Sequence, residues 1–157
     1  DTSGRGIKGN KLKAIGEYYN FLGIFGGGTV NPPSFDMISK KLHYVRFAKR
    51  FPATINEDNW PVLIQDVCKE AGYSVNDINW TVLTQVNYST IEEVHKRLGI
   101  PIEKAITIMQ KYGYTGSACV PMALDDAVTS GKIKVNDIVA FCASGGGANF
   151  AALVMKW

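Results

Sequence analysis

Few side chains in this chain have the chemistry of a nucleophile. The three cysteines are Cys68, Cys119 and Cys142, and their odd number and spacing match no zinc motif. Each lies in an apolar stretch, where free cysteine usually packs as a small buried hydrophobic residue. We therefore expect three structural thiols in a reducing, cytoplasmic setting, and no metal or cofactor.

Two histidines and one acidic pair are the remaining candidates for proton transfer. His95 falls on the polar side of a predicted helix over 89–98, so we expect it to be solvated. His43 belongs to the basic run 40–44 and is also expected to face water. The adjacent acids Asp125-Asp126 are predicted at a helix surface, where paired-carboxylate chemistry is not expected.

Two glycine-rich segments have the composition of loops. Gly26-Gly27-Gly28 lacks the Lys-Ser/Thr of a phosphate-binding loop and no helical pattern follows it directly, so it is predicted to be a flexible loop. Ser144-Gly145-Gly146-Gly147 is predicted to form a tight turn between two strands. Residues 1–34, with many glycines and Pro32-Pro33, are predicted to form loops around short strands.

Composition excludes several classes of protein. The 157 residues are 46% hydrophobic and 20% charged, which is typical of a soluble globular chain and allows a single domain over residues 1–157. A net charge of +3 without a basic stripe argues against a nucleic-acid binder. The apolar runs Ile138–Cys142 and Phe150–Met155 are too short to span a bilayer. Asp1 is not a natural translation start, so upstream sequence is expected.

Helical spacing of apolar residues predicts helices over 57–71, 89–98 and 117–130. The first is expected to begin close to Pro61, because proline fits best in a first turn. Ser74-x-x-Asp77 predicts a capped turn. In the second helix, Ser89-x-x-Glu92 predicts a capping box, and the pairs expected on its wet face are Glu92–Lys96 and Glu93–Arg97.

Apolar, β-rich runs predict strands at Trp80–Thr84, Ala105–Met109, Ile138–Cys142 and Ala151–Met155. Strands that alternate with helices indicate an α/β fold. The last two runs are joined by about eight residues, too few for a parallel crossover, so they should be antiparallel. We therefore predict a mixed sheet covered by helices, in which the first, third and fourth runs are neighbours.

Four segments together resemble the C-terminal half of β-ketoacyl-acyl-carrier-protein synthase III, a thiolase-fold condensing enzyme. In that family the segments have the sequence patterns D-W-x-x-x-H-Q-A-N, R-x-G-N-T-S-A-A-S and P-x-A-L-D-E-A, followed by a glycine-rich loop before the closing strand. The segments here are Asn79–Asn87, Lys111–Ala118, Pro121–Ala127 and Ser144–Trp157. The resemblance implies a thiolase-like half, with the half that bears the nucleophilic cysteine absent.

The resemblance also implies which residues would form the site. The family's histidine and asparagine, which hydrogen-bond the thioester oxygen of a malonyl group, match Thr84 and Tyr114. The Gly145-Gly146-Gly147 loop matches the family's backbone oxyanion loop, although a plain tight turn remains an alternative. Lys96-Arg97 matches a basic pair with which the family binds acidic acyl carrier protein. The alternative is that the two residues only form a solvated face of the helix.

Two functions stay open from the sequence. The first is a divergent synthase III-like acyltransferase of fatty-acid or polyketide-type metabolism, in which this chain alone is inactive. The second is a non-catalytic partner subunit or acyl-binding module of a condensing-enzyme complex. Both imply acyl carrier protein or acyl-CoA as a partner through the full-length protein, and a homo- or heterodimer.

Overall fold

The computed structural model describes residues 4–157, and these form two compact units. The first contains the described residues up to Lys13, residues 54–144 and residues 150–157. The second contains residues 14–53 and 145–149. The expectation of one domain over residues 1–157 stays a prediction.

A five-stranded sheet forms the centre of the first unit. Its strands are β1 (Gly6–Ala14), β4 (Trp80–Leu83), β5 (Ala105–Ile106), β6 (Ile138–Gly145) and β7 (Asn149–Lys156). Their order is β1-β7-β6-β4-β5, and β4 is parallel to both β5 and β6. Only three residues join β6 to β7, so these neighbours are antiparallel. The predicted mixed sheet, with three of its runs adjacent, is confirmed.

Strand β1 corrects the expectation of loops around short strands at the start of the chain. It is nine residues long, although it contains two glycines. A Cβ at Gly9 would lie 3.4 Å from side-chain atoms of Val67 and Ala71. The glycine therefore lets the strand approach the neighbouring helix closely, so here its small size favours packing and does not mark a turn.

Helix α2 (Ile55–Glu70) begins earlier than its proline predicted. Pro61 is buried inside the helix, where it cannot donate a backbone hydrogen bond to the carbonyl of Glu57. The guanidinium of Arg97 donates to that carbonyl instead, with Nη1 2.9 Å from the oxygen. A distant side chain thus satisfies the acceptor that proline leaves open, which allows the helix to continue through it.

Helix α3 (Tyr88–Leu98) also begins one residue earlier than predicted. Its N-cap is Asn87, which makes no side-chain cap hydrogen bond, so the predicted capping box from Ser89 to Glu92 is wrong. Ser89 already lies inside the first turn, where it cannot act as a cap. The Ser74–Asp77 turn is confirmed, since the Asp77 carboxylate accepts from the backbone N–H and the hydroxyl of Ser74 at 2.6 and 2.8 Å.

The third predicted helix is α5 (Cys119–Thr129), preceded by a 3-10 turn at Gly116–Ala118. The predicted strand Ala105–Met109 is only two residues long, because Met109–Tyr112 forms a short helix, α4. Side chains of β4, β5, β6 and α5 make one core cluster, whose central members include Val82, Ala123 and Val139. No helix within residues 4–157 is long and apolar enough to cross a membrane.

The second unit contains little regular structure. Strands β2 (Leu22–Gly23) and β3 (Arg46–Phe47) pair antiparallel, and a short helix, α1 (Phe35–Ser39), lies between them in sequence. The Ser34 hydroxyl accepts from the Met37 N–H at 3.1 Å and caps α1. Gly26 is buried against Met37, where a Cβ would overlap the methionine side chain. Residues 26–28 lie in no helix or strand, which confirms the predicted loop, while its predicted flexibility stays a prediction.

Candidate functional site

Parallel pairing of β4 and β6 brings the position after β4 next to the end of β6. Leu83 pairs with Cys142, and the N–H of Thr84 donates to the carbonyl of Cys142 at 3.1 Å. The hydroxyl oxygen of Thr84 in turn accepts the N–H of Ser144 at 3.2 Å. Thr84 is only 5% exposed. Carboxyl ends of parallel strands commonly form ligand sites in α/β folds, so this edge is the candidate site.

Ser144 connects this edge to the first turns of helix α2. Its hydroxyl accepts the indole N–H of Trp60 and donates to the side-chain oxygen of Asn56, each at 2.7 Å. Trp60 is 1% exposed, so its indole nitrogen needs a protein partner. The sequence predicted Trp60 only as a core residue of the helix, and it gave no signal for Asn56. The only available signal was that the indole N–H of a buried Trp60 needs a hydrogen-bond acceptor nearby.

Gln85, the residue after Thr84, links the end of β4 to β5 by side-chain hydrogen bonds. Its amide nitrogen donates to the carbonyls of Leu83 and Ile106 at 2.8 and 3.0 Å, and its oxygen accepts the Ile108 N–H at 2.9 Å. The side chain is completely buried. Three bonds from one amide fix the path of the chain around Thr84, which assigns Gln85 a structural role.

Tyr114 is placed differently from Thr84. It lies between Gly113 and Gly116, both at positive φ (+69° and +63°), and the tyrosine is 54% exposed. Within residues 4–157, no hydrogen bond joins its hydroxyl to Thr84 or Ser144. The structure therefore joins Thr84 to Ser144 directly and leaves Tyr114 outside that network.

The glycine loop belongs to the second unit. At its end, Ala148 exchanges two backbone hydrogen bonds with Ile15, at 2.8 and 3.1 Å. The Asn149 amide donates to the carbonyl of Gly146 at 2.8 Å, and a Cβ at Gly147 would overlap that amide. Gly147 also has a φ of +135°, which favours glycine. The turn between β6 and β7 is thus confirmed as a structural element, while its oxyanion role stays a prediction.

The basic pair on α3 consists of two differently placed cations. Arg97 is held by Glu93 and Asp58, with N–O distances of 2.8 and 2.9 Å, so the predicted Glu93–Arg97 pair is confirmed. Lys96 lies 3.5 Å from Glu93 rather than on the predicted Glu92, and its side chain is 80% exposed. Arg97 lowers the pKa of both carboxyl groups below their ordinary values. Lys96 is therefore the more available of the two for a partner.

His95 corrects a prediction, because it is buried and not solvated. It is 1% exposed, and its two ring nitrogens lie 2.7 Å from the Thr81 hydroxyl and 3.0 Å from the Pro101 carbonyl. The carbonyl can only accept, so Nδ1 carries the proton and Nε2 accepts from Thr81. Burial lowers the pKa of His95 below its ordinary value. Its helix face turns inward, toward the strand that carries Thr81.

The cysteines match their predicted structural role. All three are free and no more than 2% exposed. Burial raises the pKa of Cys68 to about 11 and raises the pKa of Cys142 further. His43 is exposed, which confirms the solvated-run prediction, and its ring packs at a tilt against Tyr44.

Comparison with known proteins places this fold in a family. Residues 68–157 match the model of the 3-oxoacyl-[acyl-carrier-protein] synthase III C terminal, which is more than half of the chain. A β-ketoacyl-[acyl-carrier-protein] synthase III of Symbiobacterium thermophilum is 32% identical and covers 99% of this chain with 47% of its own length. One from Synechocystis is 40% identical over 97 residues, 62% of this chain and 29% of its own.

A solved structure shows the same fold. The 3-oxoacyl-[acyl-carrier-protein] synthase III of Aquifex aeolicus superposes with a TM-score of 0.81 at 22% identity, over all of this chain and 46% of its own. The chain thus spans about half or less of the length of the relatives it matches. Its fold is the α/β, thiolase-like half that the motifs predicted, and the chain belongs to the 3-oxoacyl-[acyl-carrier-protein] synthase III C-terminal family.

Proposed function

We propose that this chain is the C-terminal domain of a divergent synthase III-like acyltransferase of fatty-acid or polyketide-type metabolism, and that it does not complete the reaction alone. The family match over residues 68–157 carries the proposal. Thr84 and Tyr114 occupy the positions where the family motif has histidine and asparagine, which is the basis for calling it divergent. Threonine donates a hydrogen bond but cannot become a cation near neutral pH.

The state of the cysteines supports the view that the chain needs a nucleophile from elsewhere. The attacking species would be a thiolate, which requires a low pKa and access to substrate. All three thiols are buried, and burial raises the pKa of Cys68 and Cys142. A nucleophile in a second half, present in the full-length protein, is part of this proposal.

An apolar groove on the first unit supports the presence of that second half. The groove has a volume of about 200 Å³, and its lining includes Leu12, Val120, Phe141 and Leu153. Leu12 is 77% exposed. Apolar surface of this kind is stabilised when another protein surface covers it, and a second half or a dimer partner would do so.

The test is the release of labelled carbon dioxide from malonyl-carrier protein by the full-length protein. We expect release far below a ketosynthase rate, because removing one preorganised donor from such a site typically costs about 10²–10³ in rate. The effects of two changes within one site rarely add as free energies, so the rate losses from Thr84 and Tyr114 need not multiply. Fast release would contradict the proposal. The double change Thr84→His with Tyr114→Asn should raise the rate if the rest of the pocket is intact.

The proposed partner is acyl carrier protein or acyl-CoA, bound through the full-length protein. Lys96 and Arg97 would steer the acidic carrier, and the exposed Lys96 is the better placed of the two. Charge reversal at Lys96 should weaken carrier binding at low salt, with a loss that shrinks as salt rises. Lys134, an exposed lysine outside helix α3, gives the matched control Lys134→Glu. Equal loss in both variants would indicate a general charge effect and would contradict this docking role.

A second function is favoured by the residues at positions 84 and 114, which differ from the histidine and asparagine of the family motif. If neither Thr84 nor Tyr114 serves chemistry, the protein would act as a non-catalytic partner subunit or acyl-binding module beside an active homologue. The upstream sequence decides between the two functions. A cysteine at the start of a buried helix supports the acyltransferase, and its absence supports the partner subunit.

A further inference from the structure

The network around Ser144 leaves a surplus of hydrogen-bond donors. Ser144 donates its hydroxyl proton to Asn56 and its N–H to Thr84, and it accepts from Trp60. Thr84 enters the network only as an acceptor, and Asn56 only through its side-chain oxygen. The hydroxyl proton of Thr84 and both amide protons of Asn56 therefore have no acceptor within residues 4–157.

These unused donors come from two elements and converge on one residue. Thr84 follows β4, Asn56 lies in the first turn of α2, and each is a single hydrogen bond away from Ser144. Trp60, which is 1% exposed, holds Ser144 from the core side. A donor whose rotamer is fixed by another hydrogen bond is preorganised for an acceptor, because it needs little reorientation when one arrives.

The surroundings select the kind of acceptor. Thr84, Asn56, Ser144 and Trp60 are all uncharged, so the cluster offers no cation to an anionic ligand. A neutral carbonyl oxygen, with two lone pairs and no net charge, fits the donors better.

We propose that Thr84 and Asn56 form a donor pair that binds the carbonyl oxygen of an acyl thioester, held in place by Ser144 and Trp60. The thioester class rests on the proposed function, whereas the donor pair rests on the hydrogen bonds alone. In this arrangement Asn56 supplies the second donor and the half-exposed Tyr114 does not. Ser144 and Trp60 are positioning residues, since they act through Thr84 and Asn56.

The test uses the 157-residue chain and a small thioester, S-acetyl-N-acetylcysteamine labelled with ¹³C at its carbonyl carbon. The carbonyl resonance should move downfield on binding, because donated hydrogen bonds polarise the C=O group. The Trp60 indole N–H resonance should shift in the same titration. The Trp80 indole N–H donates to Asp137 instead, at 3.0 Å, and should not shift.

Matched variants separate the pair from its alternatives. Thr84→Val keeps the side-chain shape and removes the hydroxyl, which is both the proposed donor and the acceptor of the Ser144 N–H. Asn56→Asp keeps an acceptor for Ser144 and removes both amide donors. Each should weaken thioester binding by about fivefold to tenfold, the usual worth of one hydrogen bond, and reduce the downfield shift. Thr84→Ser should restore both, and Tyr114→Phe should change neither.

Several outcomes would overturn the donor pair. These are binding that leaves the Trp60 resonance unmoved, a loss in Tyr114→Phe equal to that in Thr84→Val, or no thioester binding by the natural chain at millimolar concentrations. The indole N–H spectrum of each variant reports whether it is folded, so a folding failure is not mistaken for a lost donor. Carbon dioxide release by the full-length protein is independent of this titration, so either proposal can fail alone.

Discussion

Two side chains on α3 show how one residue can serve the backbone of another element. Arg97 donates to the Glu57 carbonyl that Pro61 leaves without a donor, and it also pairs with Asp58 and Glu93. Lys96 is next to it in sequence but extends into solvent. The two cations contribute equally to the net charge, yet only Arg97 makes hydrogen bonds that hold one helix to another.

The first prediction compares these two cations. Arg97→Met should lower the urea midpoint of unfolding clearly, because the Glu57 carbonyl loses its donor and two carboxylates lose their partner. Lys96→Met is the matched control and should leave the midpoint within experimental error, as exposed ion pairs contribute little. Equal midpoints for the two variants would show that α2 tolerates Pro61 without help from Arg97.

His95 gives a pH dependence of known sign. Burial lowers its folded-state pKa below the unfolded value of roughly 6.5, so the unfolded chain binds the proton more readily. Its contribution to stability is complete above about pH 6.5 and is lost as the pH falls from there toward the folded pKa. The backbone of Pro101 and the charge of Glu103 oppose this shift without reversing it.

The second prediction follows from that sign. Between pH 7 and 5.5, the free energy of unfolding should fall by up to about 1.4 kcal/mol per pH unit. His95→Gln should flatten this slope in urea titrations at several pH values. His43→Gln, at an exposed histidine, should leave the slope unchanged. A slope that survives in His95→Gln would assign the pH dependence to other groups.

At the scale of elements, the ends of β4 and β5 depend on one amide. Strand β5 has only two residues, which is too short to be held by its own ladder alone. Gln85 adds three hydrogen bonds at that point and links both strand ends to the segment before α4. The pairing of β4 with β5, at the strand end that precedes Thr84, therefore rests partly on a buried polar side chain.

The third prediction tests that role with two glutamines. Gln85→Leu should destabilise the chain by roughly 2–5 kcal/mol, because it leaves buried backbone groups without partners. Gln110 makes one exposed bond to the Thr107 carbonyl, and Gln110→Leu should cost less than about 0.5 kcal/mol. Urea unfolding of both variants measures the difference. A small loss at Gln85 would mean that the strand ends are fixed by packing alone.

Considered as a whole, the chain divides its stabilising contacts unevenly. The sheet and its helices contain most of the buried side chains, including the core cluster around Val82 and Val139. Within residues 14–53, only Gly26 and Met37 are buried. The same segment exposes large apolar side chains, with Phe35 94% and Val30 88% exposed. A segment with so few buried contacts should open at low free-energy cost.

The fourth prediction uses trypsin to find the segment that opens first. Arg46, Lys49 and Arg50 are exposed, in or beside the two-residue strand β3, whereas Lys96 and Arg97 lie in helix α3. Cleavage at 46–50 should precede cleavage at 96–97 by at least about tenfold in rate. Mass spectrometry of a time course identifies the first cut. A first cut inside α3 would contradict this order of local stability.

The sequence by itself determined the elements and the family. Apolar runs and helical spacing located the main helices and every strand of the sheet except β1, and the motif order alone indicated the synthase III family. These signals are local, since periodicity and capping depend on residues a few positions apart. Where a local rule failed, at Pro61 or His95, a contact from outside the element had replaced the one that the rule assumes.

Only the tertiary structure decided which polar groups meet. Thr84 and Ser144 are 60 residues apart and Trp60 and Ser144 are 84 apart, so no local pattern could pair them. Their contact depends on the parallel register of β4 and β6 and on the position of the first turns of α2. Hydrogen bonds act only over about 3 Å, and a change of one residue in that register would separate these groups. The candidate donor pair is therefore a property of the fold.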